Sequence, residues 1–150
     1  MKYLKMLLYW VWLWTWGFIE SFLGFWVFLF AIIFRKGKPR VNGYGILTPF
    51  GGNWGGLSLG VFQFCGEYNR LDRPEIFNLD FYNSTRKHEF GHSLQVCIFG
   101  PLWLIIVAIP SVIRYSYSMH HVTSADWYDS AWIEGSATRW GTKAINNIER

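Results

Sequence analysis

Apolar side chains run almost unbroken from Leu4 to Phe34, with Lys5 and Glu20 the only charges. An untilted membrane span needs about 20 residues, so this run exceeds one span. Four tryptophans on alternate positions, Trp10, Trp12, Trp14 and Trp16, divide it. Indole rings favour the head-group level, so the cluster marks an interface and leaves Phe18–Phe34 to span the hydrocarbon, roughly 26 Å at 1.5 Å per residue. A cleaved signal sequence has an apolar core of about 7–15 residues and a small-residue cleavage site; this run is longer and has no such site, which predicts a retained anchor. Glu20 lies one turn below the interface. Arg35, Lys36, Lys38 and Arg40 follow the run, and the positive-inside rule puts that end in the cytoplasm and the N-terminus outside.

Positions 41–83 change character. Asn42-Gly43, Gly51-Gly52-Asn53 and Gly55-Gly56 are turn signals. Leu57, Leu59, Val61, Phe62 and Phe64 sit in a short run with period-two character, which predicts a strand, and Ile76–Phe81 is a second candidate beyond a polar turn at Glu67–Pro74. The expected element is a small β-hairpin capping a membrane helix. Its edge, at Leu57, Leu59 and Val61, has the character to hold an extended peptide through main-chain hydrogen bonds.

A helix follows, with Ser84 or Thr85 as its cap, running through Phe90–Gln95. Val96 to Ile113 is 18 apolar positions interrupted by Gly100, Pro101 and Pro110. From Asp126 to Arg150, Trp132, Ala137, Trp140, Ala144 and Ile148 recur at helical spacing, predicting an amphipathic helix. The fold class is a mostly helical membrane protein with a small β element, divided into an anchor with its basic flank (1–40) and a membrane-associated domain (41–150).

Composition sharpens this picture. Of 150 residues, 51% are hydrophobic, 21% aromatic and only 16% charged, which excludes a disordered chain and a coiled coil. A net charge of +4 suits anionic lipid head groups as well as nucleic acid, but the sequence has no basic stripe and no nucleic-acid motif, so no nucleic-acid partner is expected. Cys65 and Cys97, 32 residues apart, form no CxxC and predict no disulfide.

The chemistry lies in His88-Glu89-Phe90-Gly91-His92, an H-E-x-x-H pattern that holds half of the chain's 4 histidines. On a helix, residues i and i+4 share a face, so His88 and His92 offer two imidazoles to one ion, and Glu89 is placed to take a proton from an activated water. Neutral imidazole suits Zn²⁺, and a catalytic zinc takes three protein ligands and leaves a position open. No further His, Asp or Glu occurs from Ser93 to Ile98, and Cys97 in its apolar run reads as a small buried hydrophobe. His120 and His121, in a polar aromatic stretch, and Tyr128 are candidate donors to a transition-state oxyanion.

Trp132-Ile133-Glu134-Gly135-Ser136-Ala137 resembles the E-x-x-A element of thermolysin-like zinc peptidases, the gluzincins, which implies Glu134 as the third ligand. His88–Gln95, Gly100-Pro101-Leu102-Trp103-Leu104, Pro110-Ser111 and then Glu134 with Ala137 together resemble a group of small bacterial integral-membrane proteins that are metallopeptidase-like. The likeness covers about residues 84–141, with an echo at Asn53–Gly60. The chain departs from the pattern at Ser136-Ala137, where a Trp-Ala pair is expected. Intramembrane zinc proteases instead take an Asp from an L-D-G motif, which neither Leu71-Asp72-Arg73 nor Leu79-Asp80-Phe81 matches. If Val96–Ile113 crosses a bilayer, Glu134 and the histidines fall on opposite sides. Either the segment is re-entrant or a buried helix, or the ligand is Glu67, Asp72, Glu75 or Asp80. The expected function is a membrane-bound zinc peptidase acting on a peptide or protein; the alternative is a membrane scaffold or interaction protein with a structural metal or none.

Overall fold

The structure, a computed structural model, describes residues 1–50, 54–66, 78–121 and 124–150. It is mostly helical with one small mixed sheet. The apolar N-terminal run is two helices, α1 (Lys2–Thr15) and α2 (Phe18–Phe34), broken at Trp16-Gly17 and bent by 102°. Gly17 is where a side chain has no room: a Cβ there would press on Leu13 and Val96. No single helix among the described residues is long and apolar enough to cross a membrane.

The sheet follows, from β1 (Arg40–Asn42), β2 (Gly45–Pro49), β3 (Gly56–Leu59) and β4 (Phe62–Cys65), in the order β1-β2-β4-β3. β2 and β4 are parallel and the other neighbours antiparallel. The Leu57–Phe64 run is therefore not one strand but a hairpin, with Leu59 paired to Phe62. Gly60, at φ +62°, supplies the positive φ that a two-residue turn with glycine in its first central position requires. The alternation changes phase at the reversal, from Leu57 and Leu59 to Phe62 and Phe64 with Val61 and Phe62 adjacent, and that shift beside Gly60 is the sequence mark of the turn. As a result Leu59 and Val61 are core residues and only Leu57 of the three expected edge positions keeps partial exposure. β1 and β2, joined across Gly43-Tyr44, had no sequence counterpart beyond the Asn42-Gly43 turn signal.

Helix α3 runs from Leu79 to Phe99. It starts earlier than expected, because the Asn78 side chain accepts from the Phe81 amide at 2.9 Å and Asp80 faces the helix N-terminus. This cap overrides the strand character of Leu79–Phe81. Ile76-Phe77, the Glu67–Pro74 turn and the alternative ligands Glu67, Asp72 and Glu75 lie outside the described residues; Asp80 lies two turns before His88.

Beyond α3 the Val96–Ile113 segment breaks. A 3₁₀ turn (Gly100–Leu102), a π-helical stretch (Leu104–Ala108) and α4 (Ile109–His120) follow, and the axis turns by 119°. Proline at 101 and 110 removes helical donors at both ends of the irregular stretch, and Gly100 has φ +50° with its Cα face against the Trp16 indole. α5 (Ala125–Asp129) and α6 (Trp132–Ile148) complete the chain.

α6 is amphipathic, but its buried stripe is Ile133, Ala137, Gly141 and Ile145, while Trp132 and Trp140 point outward. It packs on α3 rather than on the α1–α2 pair. The reason is close backbone approach: a Cβ at Gly91 would collide with the Ala137 main chain, and one at Gly141 with the Lys87 carbonyl. Large aromatics have no place in such a contact. α1 runs beside α3, with Tyr9 against Phe90 and the Trp12 Nε1–H donating to the Cys97 carbonyl at 2.9 Å. The core joins these helices to the sheet through Phe62, Phe64, Phe90 and Val96.

Candidate metal centre

The tight α3–α6 contact brings three donors together. His88 and His92 stand one turn apart on α3, with ring planes at 88° and Nε2 atoms 3.0 Å apart. Glu134, in the first turn of α6, is fully buried. Its Oε2 lies 3.1 Å from His88 Nε2 and 3.3 Å from His92 Nε2. The chain bends by 119° after α3 and α6 packs back on α3, so the helices that carry the histidines and Glu134 lie together. Among the described residues, these three form the group able to hold a metal ion.

The outer hydrogen bonds fix which ring nitrogens are free. Gln95 Nε2 donates to the Ile133 carbonyl at 2.7 Å and to Ser136 Oγ at 2.9 Å. Its Oε1 therefore faces His92 and accepts from Nδ1–H at 2.8 Å. The Thr138 hydroxyl donates to Asp129 Oδ1 at 3.2 Å, so it accepts from His88 Nδ1–H at 2.9 Å. Both Nε2 atoms then carry lone pairs, and both face a carboxylate oxygen. Three convergent lone pairs are stable only around a positive charge. Donors bonded to one tetrahedral zinc at about 2.0–2.1 Å lie about 3.3–3.4 Å apart, and the observed separations of 3.0, 3.1 and 3.3 Å reach that triangle with an outward shift of a few tenths of an ångström.

Glu89 is buried beside this group. The Ser58 hydroxyl, on β3, lies 2.7 Å from both the Glu89 carbonyl and Glu89 Oε2, to either of which it donates. Gly56 leaves space for the carboxylate; a Cβ there would strike Glu89 Oε1. Burial pushes Glu89 above its ordinary value, opposed by His92, His88 and the Ser58 hydrogen bond.

The group opens on a cleft of ≈ 520 Å³. One wall is β3, an edge strand of the sheet, with the preceding Gly55; another is Trp103, Ala108 and Val112 of the broken segment. Tyr128 lines it as well, with its ring 6.3 Å from that of His88. Burial, reinforced by the Glu134 charge, pushes the Tyr128 hydroxyl well above its ordinary value, so it stays a donor.

His120 and His121 do not line the cleft. Both are exposed at the end of α4, where His121 stacks on Tyr117 at 3.9 Å. Leu59 and Val61 also lie away from it, in the core. Sequence reasoning missed Gln95, Ser136, Thr138, Asp129 and Ser58. Gln95 had a signal, since a residue three positions past a helical ligand shares its face; the others come from distant elements. Ser136, the departure from the expected pattern, accepts the Gln95 hydrogen bond, and Ala137 is the contact that Gly91 requires. The chain matches no protein-family model, no curated protein and no solved structure.

Proposed function

We propose that the protein is a membrane-associated zinc-dependent peptidase, with His88, His92 and Glu134 as metal ligands and Glu89 as general base. The observation that carries this reading is the convergence of His88 Nε2, His92 Nε2 and Glu134 Oε2 within 3.3 Å of one another, both imidazole tautomers being fixed from outside. Two imidazoles and one carboxylate are a donor set that zinc favours, and three protein ligands beside an open cleft suit catalysis rather than a closed structural site. A structural site would call for a fourth protein ligand.

When bound, zinc supplies Lewis acidity, bringing the pKa of water near 7 and polarising a carbonyl. The protein's own groups do the rest. Gln95 and Thr138 hold the imidazoles in their tautomers. Ser58 anchors Glu89 Oε2, leaving Oε1 to accept the proton of the attacking water and later deliver it to the leaving amine nitrogen. The neutral Tyr128 hydroxyl is a donor for the oxygen that gains charge. Edge strand β3, through Leu57, offers main-chain pairing to an extended peptide. Glu89→Gln tests this. The variant keeps its metal and its fold and loses about 10²–10⁴-fold in turnover of a casein or quenched-peptide substrate; undiminished turnover refutes the mechanism.

A further inference from the structure

The two sharply bent helix pairs are side by side. The Trp16 indole at the first elbow packs on Gly100 at the second, and Trp16 Nε1–H donates to the Ile98 carbonyl at 3.4 Å. Each elbow carries a stripe of exposed large apolar side chains. Trp12, Phe18 and Phe22 belong to the first, and Ile98, Leu102 and Ile105 to the second. Together α1, α2 and the Trp16 between them expose 15 such residues, most near half exposure. At about 200 Å² for a large side chain that leaves on the order of 1,000 Å² of apolar surface, above the largest patch of a typical soluble monomer.

Charge is absent from this surface and gathers at its far rims. From Met6 to Phe34 the single charged residue is Glu20, which is buried, and from Phe90 to Ile113 there is none of Asp, Glu, Lys or Arg. Lys2 and Lys5 stand at the start of α1; Arg35 and Lys36 follow α2. A rim of one sign suits anionic head groups and repels its own copy, which favours a bilayer over self-association.

α2 is not free to cross. The sheet flanks it from end to end: Ser21 meets Gly60, Gly24 meets Leu59, and Phe28 lies on Phe62 with ring centroids 5.1 Å apart. Farther along, Phe30 lies on Phe50 and Gly37 meets Pro49. The sheet has two edge strands, β1 and β3. A crossing α2 would carry their unpaired backbone groups into hydrocarbon, which bilayers do not accept.

We propose that the protein enters one leaflet from one side, both elbows inserted together, so that the N-terminus, the basic stretch after α2 and the C-terminus share the cytoplasmic face. This places Lys2 on the same side as Arg35, where the charge rule applied to a spanning α2 has them on opposite sides. It rests on the membrane association proposed above and not on the peptidase chemistry.

The test is side-specific labelling of the full chain in bacterial membranes. Lys2→Cys, Arg35→Cys and Arg150→Cys are each made in a background lacking Cys65 and Cys97. A membrane-impermeant maleimide is applied to spheroplasts and to inverted vesicles. All three are expected to react in inverted vesicles and at least about tenfold less in spheroplasts. Reaction of Lys2→Cys and Arg35→Cys from opposite sides overturns the one-sided topology while leaving membrane association intact. A chain found in the soluble fraction, alone or as a discrete dimer, overturns the association itself. If the background fails to fold, protease protection of N- and C-terminal tags on the native chain decides between the same two topologies: tags digested together in inverted vesicles support the one-sided arrangement, and tags digested from opposite sides overturn it.

Discussion

Replacing Gln95 by Leu removes one side chain that touches three others. In the native protein its amide accepts from His92 Nδ1–H at 2.8 Å and donates to the Ile133 carbonyl at 2.7 Å and to Ser136 Oγ at 2.9 Å, all in buried surroundings. Ser136 Oγ already lies 3.3 Å from the Ile133 carbonyl and can donate to it once Gln95 is gone. His92 Nδ1–H has no such substitute. A buried donor left unpaired costs about 1–3 kcal/mol, and the remaining lost bonds about 1 kcal/mol together. The sum, about 3 kcal/mol, lowers Tm by roughly 6–12 °C in a chain of this length. The diagnostic effect is on metal. With its tautomer and ring angle released, His92 becomes a poorer ligand, and loss of such an outer partner weakens metal binding about 10–100-fold. Competition against a chelator of known affinity measures this directly. Gln95→Glu serves as control, since it still accepts from His92 while losing the donors, and should lose stability with a smaller loss of metal affinity. If Gln95→Leu is destabilised but binds metal as tightly as the native protein, Gln95 is merely a packing residue and the fixed-tautomer argument fails.

Two further expectations follow from the same contacts. Gly91→Ala places a methyl against the Ala137 main chain, which forces α3 and α6 apart; overpacking of about 1–3 kcal/mol and weakened metal binding should appear together, in calorimetry and in chelator competition, and separation of the two effects would contradict the packing account. Ser58→Ala leaves the metal ligands untouched but frees Glu89. Loss of one hydrogen bond to a charged group, about 1.5–3 kcal/mol, should lower kcat roughly 10–100-fold at unchanged metal content, and an unchanged kcat would remove Ser58 from the mechanism.

The parts of this protein legible in its sequence are those where chemistry is local. His88, Glu89 and His92 are readable because helical spacing alone aligns them; Glu134 is reached only through a resemblance, and the α3–α6 contact brings it to the two histidines as a group that could hold a metal ion. What escaped depends on tertiary partners. The reversal at Gly60 leaves only a one-residue shift of phase between Leu59 and Phe62, and a single period-two reading of Leu57–Phe64 passes over it. Leu79–Phe81 has strand character until Asn78 caps it as helix. The buried face of α6 is shifted from the one its tryptophans suggest, because small residues, not large ones, let α3 and α6 approach. The role of Gln95 follows from its position three residues past His92, but only the arrival of Ile133 and Ser136 reveals which way its amide points.

The central claim is that His88, His92 and Glu134 hold one metal ion, and metal content of the purified native chain tests it most directly. The account predicts about one zinc per chain, lost with chelator, restored by zinc alone, and absent from Glu134→Ala protein that remains folded. A native chain that carries no stoichiometric metal and takes up none on addition of zinc would contradict it.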